Sequence, residues 1–153
     1  YGIYQQFGDK NALYRAALSR YREQAVTMLN NALNTPNGGF SEICDYFASL
    51  SASLEQGDRR GCLASQAAID RAQDDPQVAD IVAEIMADLR AAFASAVAVG
   101  LARGELRELP PDDLVEFLVG LQRALATMMR TATPADEIQR YSQVSLAMLA
   151  RPD

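Results

Sequence analysis

The chain has no histidine, no tryptophan, two cysteines and one lysine among its 153 residues. Without histidine, Ser-His-Asp and Cys-His catalysis are out of reach. So are His-ligated zinc sites and the di-iron bundle built on Glu-x-x-His. Two thiols, Cys44 and Cys62, are too few to staple a domain of this length. Both are expected reduced, acting as small half-buried hydrophobes in a cytosolic protein, the alternative being a redox-sensing pair. Lys and Arg total 14 against 20 Asp and Glu, for a net charge of −6 and a pI near 4.6, so the chain as a whole lacks a polybasic profile. No uncharged apolar run approaches the roughly 20 residues of a membrane helix. The longest, Ala91 to Ala102, is alanine-rich and reads as a packed helix. Tyr1-Gly2-Ile3-Tyr4 has neither the charged nor the apolar region of a signal peptide. With no initiator methionine, the chain is expected to begin inside a longer protein. No cofactor, metal or membrane is expected as a partner.

What is present is helical. Alanine and leucine dominate, and no stretch alternates with period two between turn residues. A short helical fragment, about 1–6, precedes Phe7-Gly8-Asp9. Asp9 then caps a helix from Lys10 whose stripe is Leu13, Ala17, Tyr21, Ala25, Met28, Leu29 and Ala32. Asn34 to Gly39 breaks it. Further helices are predicted over about 41–54, 62–72, 76–103, 111–130 and 135–150. Asp75-Pro76 and Pro111-Asp112-Asp113 mark starts, and Gly104 marks an end. Thr133 reads as the cap of the last helix. The fold class is all-α, with about six helices and a closing helical hairpin.

The bland reading of Tyr4, Phe7, Gly8, Asp9, Lys10 and Leu13 is a helix end, a cap and a helix start. That reading leaves the single lysine unexplained, because a cation at a helix N-terminus opposes the helix dipole. It makes sense if an anion binds there, since free N–H groups and a lysine together suit a phosphate. The spacing resembles the end of the DNA-binding domain of TetR-type transcriptional repressors. Arg60-Gly61-Cys62-Leu63 with Ala67-Ala68, and Gly104-Glu105-Leu106-Arg107 with Pro111 and Leu114, resemble segments of the same family.

The resemblance implies that Tyr4 and Lys10 touch DNA phosphate and Phe7 plugs a core. Residues 1–14 would be the remnant of a helix-turn-helix domain, and residues 15–153 the ligand-binding and dimerisation domain. The base-reading residues would lie upstream. Residues 1–23 carry Lys10, Arg15, Arg20 and Arg22 against Asp9 and Glu23, a net +2, so the remainder carries −8. The positive end suits a DNA binder.

The resemblance further implies a TetR-like C-terminal helical body whose terminal hairpin forms a four-helix-bundle dimer interface. Leu121, Leu125, Met128, Tyr141, Ser145, Met148 and Leu149 are its candidates, the alternative being packing within one protomer. An effector pocket is implied as well. Its candidate lining is Phe47, Cys62, Gln66, Met86, Phe93 and Phe117, each of which also fits plain core packing. The expected function is a ligand-responsive repressor that binds operator DNA as a homodimer and is released by a small hydrophobic or aromatic effector. The alternative is a helical dimeric interaction or ligand-binding protein with no DNA function. The carboxylate pairs Asp74/Asp75, Glu105/Glu108 and Asp112/Asp113 sit at helix ends, where capping explains them, so no enzyme is expected.

Overall fold

Side-chain capping marks the start of two of the helices. In the computed structural model, which describes residues 2, 8–36, 38–58 and 61–152, Asp9 opens helix α1 (Lys10–Leu33). Its carboxylate accepts from the Ala12 amide at 2.7 Å. Asp75 opens α4 (Pro76–Ala102) in the same way, accepting from the amides of Gln77 and Val78 at 3.0 and 3.3 Å, with Pro76 in the first turn. Between them lie α2 (Phe40–Glu55) and the short α3 (Leu63–Asp70). Then come α5 (Pro111–Arg130) and α6 (Ala135–Ala147), each with two acidic residues in its first turn. Expected calls on residues 1 and 3–7 lie outside the described residues.

Helix α2 has no side-chain cap of its own. Glu105 supplies one from 65 residues away, its Oε2 accepting from the Phe40 amide at 2.9 Å. Gly104 makes this possible. It turns the chain at φ +68 just past α4, with the Glu105 amide donating to the Gly100 carbonyl at 2.9 Å. Leu106 then drops into the core, 1% exposed, against Gly100.

Three boundaries differ from expectation. Helix α6 stops at Ala147 rather than Ala150, because the chain beyond it pairs with residues 105–107. The Arg107 amide donates to the Leu149 carbonyl and the Arg151 amide to the Glu105 carbonyl, at 2.9 and 3.0 Å. Helix α3 ends at Asp70, where α-helical bonding gives way to a turn. Pro134, not Thr133, occupies the N-cap of α6, and the Thr133 hydroxyl lies 3.3 Å from that of Thr131.

Helix α4 is the spine, packing against α1, α2, α3 and α5. By length and composition alone it could cross a membrane; here it is the shared core helix of the bundle. Helix α6 closes the structure against α2 and α5. The apolar side chains collect in two clusters. The larger joins α2, α5, α6, the second half of α4 and the C-terminal end of α1 (Leu29 and Leu33) around Phe47, Phe93, Leu118 and Leu125. The smaller joins α1, α3 and the first half of α4 around Leu18, Ala64, Ala67, Val78, Val82 and Ile85.

Polar straps fasten α1 to α4. Arg15 pairs with Asp75 at 2.8 Å, and Arg22 with Asp88 at 2.7 Å and with Glu84. The positive stretch read from the sequence is therefore partly spent inside the protein, since two of its four cations face acids on α4. Lys10 and Arg20 are exposed. The divide expected between residues 14 and 15 falls inside α1, which runs unbroken from Lys10 to Leu33.

Candidate functional site

The two clusters do not close completely on each other. A cavity of about 160 Å³ lies along their seam. Tyr21, Ala25, Met28 and Leu29 reach it from α1, spaced so that all share one face. Tyr46, Leu50 and Ser53 come from α2, and Ile85, Met86 and Leu89 from α4. The turn into α3 contributes Gly61, Cys62 and Ser65, and α5 contributes Gln122, Arg123, Ala126 and Met129. Five of the six helices thus meet on one space.

Gly61 sets how closely α3 approaches α5. Its φ is +67, and a Cβ there would lie 2.7 Å from the Ala126 carbonyl oxygen. Backbone conformation and contact both demand glycine. Cys62 follows at the N-cap of α3, and the Tyr21 hydroxyl donates to its Sγ at 3.5 Å. Burial, then the neighbouring Cys62, pushes the Tyr21 phenol well above its usual range, and burial does the same to Tyr46. Both phenols are neutral at physiological pH. Tyr46 also meets Phe47 and Phe93 edge-on, with ring centroids 5.2 and 5.7 Å away, which holds its ring against the cavity wall.

Two cavity-lining atoms lack partners. Ser65 Oγ on α3 and Gln122 Oε1 on α5 are buried and unpaired. A buried polar atom without a partner is uncommon and costly. Here two of them line one apolar space, the composition of a small-molecule site. Among the described residues, no group of His, Cys, Asp or Glu is arranged to hold a metal.

Residues 39–144 match the family described as Tetracyclin repressor-like, C-terminal domain. The chain belongs to this family. No curated protein and no solved structure matches it. Members of the tetracycline repressor-like family are ligand-responsive transcription regulators, and their C-terminal domains are regulatory rather than enzymatic. The match includes α2 to α5, most of α6 and the Gly61-Cys62-Leu63 and Gly104-Glu105-Leu106-Arg107 segments. It leaves out α1 and the Tyr4–Lys10 motif. Tyr4 lies outside the described residues, and Lys10 is exposed at the first position of α1.

The fold divides the residues expected at a pocket. Cys62 and Met86 line the cavity. Phe47 and Phe93 stack 5.8 Å apart behind Tyr46, fully buried, and form the layer supporting the wall. Gln66 bonds to Asp70 along α3. Phe117 is 41% exposed on the outside of α5. The physical reason is angular. One residue along a helix turns a side chain by about 100°, so the cavity receives Ser65 where Gln66 was expected. Gln122, Tyr21 and Tyr46 were missed. The usable signal for Gln122 was a polar residue inside the apolar stripe of Leu118, Leu121, Leu125 and Met129.

The residues expected at an interface divide as well. Leu121, Leu125 and Leu149 are in the chain's own core, Ser145 is buried, and Met128 packs against the core edge. Helix periodicity shows that a face is apolar but not which surface covers it. Here α4 and α6 cover the leucine face of α5. The terminal hairpin still presents an outer apolar stripe, Phe117 on α5, Tyr141 and Val144 on α6, and Met148 at its C-cap.

Proposed function

We propose that this chain is the effector-binding and dimerising part of a repressor that holds operator DNA as a homodimer and releases it when a small hydrophobic or aromatic effector binds. The observation that carries this reading is the position of the cavity. It lies between the cluster built on α1 and the cluster built on the terminal hairpin. A ligand that fills it has different contacts in each relative setting of the two clusters, which is the requirement for shifting a two-state equilibrium. In this reading residues 1–14 end a DNA-binding head, and α1 transmits the change. Lys10, exposed beside the free amides of a helix start, grips a backbone phosphate, with Tyr4 as its neighbour on DNA. The regulator works in the cytoplasm.

The partner protomer packs on Phe117, Tyr141, Val144 and Met148. The last three follow one another at spacings of three and four along α6 and its C-cap, leaving a row of apolar side chains exposed. Val144, 56% exposed, is the residue to test. Val144→Asp is expected to give a folded monomer in sedimentation velocity, with an unchanged circular dichroism spectrum. A variant that stays dimeric removes this surface from the proposal.

The DNA function is tested with the intact protein, including whatever precedes Tyr1. In-vitro selection from genomic fragments is expected to enrich a short two-fold symmetric site. Recovery of no sequence-specific DNA overturns the repressor reading and leaves a dimeric ligand-binding protein.

A further inference from the structure

We propose that the seam cavity selects an uncharged, single-ring molecule bearing a hydroxyl or an aromatic amine, and that Gln122 and Ser65 are the residues that select it. This rests on the effector-cavity reading above and gives it a ligand class.

Three observations converge. The first is size. About 160 Å³ compares with the roughly 150 Å³ apolar cavity known to take up benzene, and it far exceeds the roughly 10–15 Å³ of such space that one water needs. The second is the pair of unpaired atoms. Thr35 Oγ1, Ser65 Oγ and Gln122 Oε1 are the buried side-chain polar atoms without partners among the described residues, and two of these three line this cavity. They come from different helices, α3 and α5, which touch each other. Gln122 Oε1 can only accept, so it needs a donor. Ser65 can donate or accept. A ligand O–H or N–H satisfies the first, and the same or an adjacent polar atom satisfies the second.

The third observation concerns charge. The charged residues of the lining are Asp58 and Arg123. Arg123 is exposed, and Asp58 is partly buried and already engaged by another group. The remaining wall is apolar apart from Ser53, Ser65, Gln122, Cys62 and two neutral phenols, Tyr21 and Tyr46, whose titration is pushed up by burial. A carboxylate or ammonium brought deep into this space would lose its hydration without gaining an opposite charge.

Selection by an acceptor that is otherwise unsatisfied has a signature. It penalises a ligand that lacks the donor more than it rewards the ligand that has it. It also costs stability in the empty protein, so removing it should help folding while harming recognition.

Calorimetric titration of the intact protein with phenol, toluene and benzoate tests the inference, in the wild type and in Gln122→Leu and Ser65→Ala. Phenol is expected to bind and benzoate not to bind. The ratio of phenol to toluene affinity is expected to fall about tenfold in Gln122→Leu, the order of one hydrogen bond, and by less in Ser65→Ala. The melting temperature of the empty Gln122→Leu protein is expected to equal or exceed that of the wild type. Should Gln122→Leu fail to fold, Ser65→Ala alone reads the ratio. An unchanged ratio in the folded variants, with toluene still bound, overturns the hydrogen-bonded class but keeps a ligand cavity. Benzoate binding more tightly than phenol overturns the uncharged class. Binding of none of the three overturns the cavity reading with it. If phenol binds in the Gln122-dependent manner yet leaves the selected DNA site occupied, the ligand class stands and the effector role falls.

Discussion

The two halves of the core are built from different materials. The cluster around α2, α5 and α6 is dominated by leucine, with the rings of Tyr46, Phe47 and Phe93 in mutual contact. The cluster under α1 and α3 is made of alanine, valine and two larger aliphatic side chains, and ion pairs strap its edge. Large interlocking side chains resist relative motion, because every shift breaks many close contacts. Alanine faces and surface ion pairs resist it far less. The leucine-rich half is thus the stiffer platform and the other half a lighter arm; α1 and α4 run through both, and the cavity lies where they meet.

The sharpest test compares one substitution in both halves. Leu118 and Leu18 are each fully buried. Leu118→Ala is expected to cost about 4–5 kcal/mol, near the top of the range for this change, because stacked aromatics and neighbouring leucines cannot collapse into the hole. Leu18→Ala is expected to cost about 2–3 kcal/mol, because the lighter arm can settle. Urea denaturation of both variants measures the difference, and equal losses would erase the distinction between platform and arm.

The joint itself comes next. Gly61→Ala places a side chain at φ +67 against the Ala126 carbonyl. It is expected to cost about 2 kcal/mol, in the range of a strained backbone site, and to change ligand affinity together with stability. A stability loss with untouched affinity would detach α3 from the cavity's function.

The straps give the smallest effect. Arg22→Ala is expected to lower the melting temperature slightly, more at low salt than at high salt. Acid should loosen the straps as well. Burial pushes the Asp75 carboxyl up, but the bond from Arg15 and the Val78 and Gln77 amides outweigh this and hold it below its usual range. The bond from Arg90 lowers Glu116 between α4 and α5. A depressed carboxyl stabilises the fold above its unfolded value, about pH 4. That contribution is lost as pH falls through the lower folded value. A melting temperature that stays flat from pH 6 to pH 3 would show that the straps do not hold the arm.

Much of the helical layout was legible because caps and periodicity are local. Asp9 and Asp75 announce α1 and α4, and Pro111 with two aspartates announces α5. What was not legible depends on contacts between distant residues. Nothing around Phe40 says that Glu105 will cap it. Nothing in the spacing of Leu121 and Leu125 tells a protomer core from a partner surface. In the cavity, Cys62 and Met86 were found because they sit on apolar faces. Ser65 and Gln122 were passed over because a polar residue shows its value only when the space it faces is known.

The fastening of Phe40 by Glu105 and of Arg107 by Leu149 also dictates an order of events. These contacts span long stretches of chain, so the entropy of closing large loops must be overcome before either forms. During synthesis α2 emerges long before the glutamate that caps it, and residues 105–107 wait for the chain around Leu149. The bundle is therefore finished from its C-terminal edge. Until that edge leaves the ribosome, the chain carries most of its helices without the backbone pairing of residues 105–107 to the chain around Leu149.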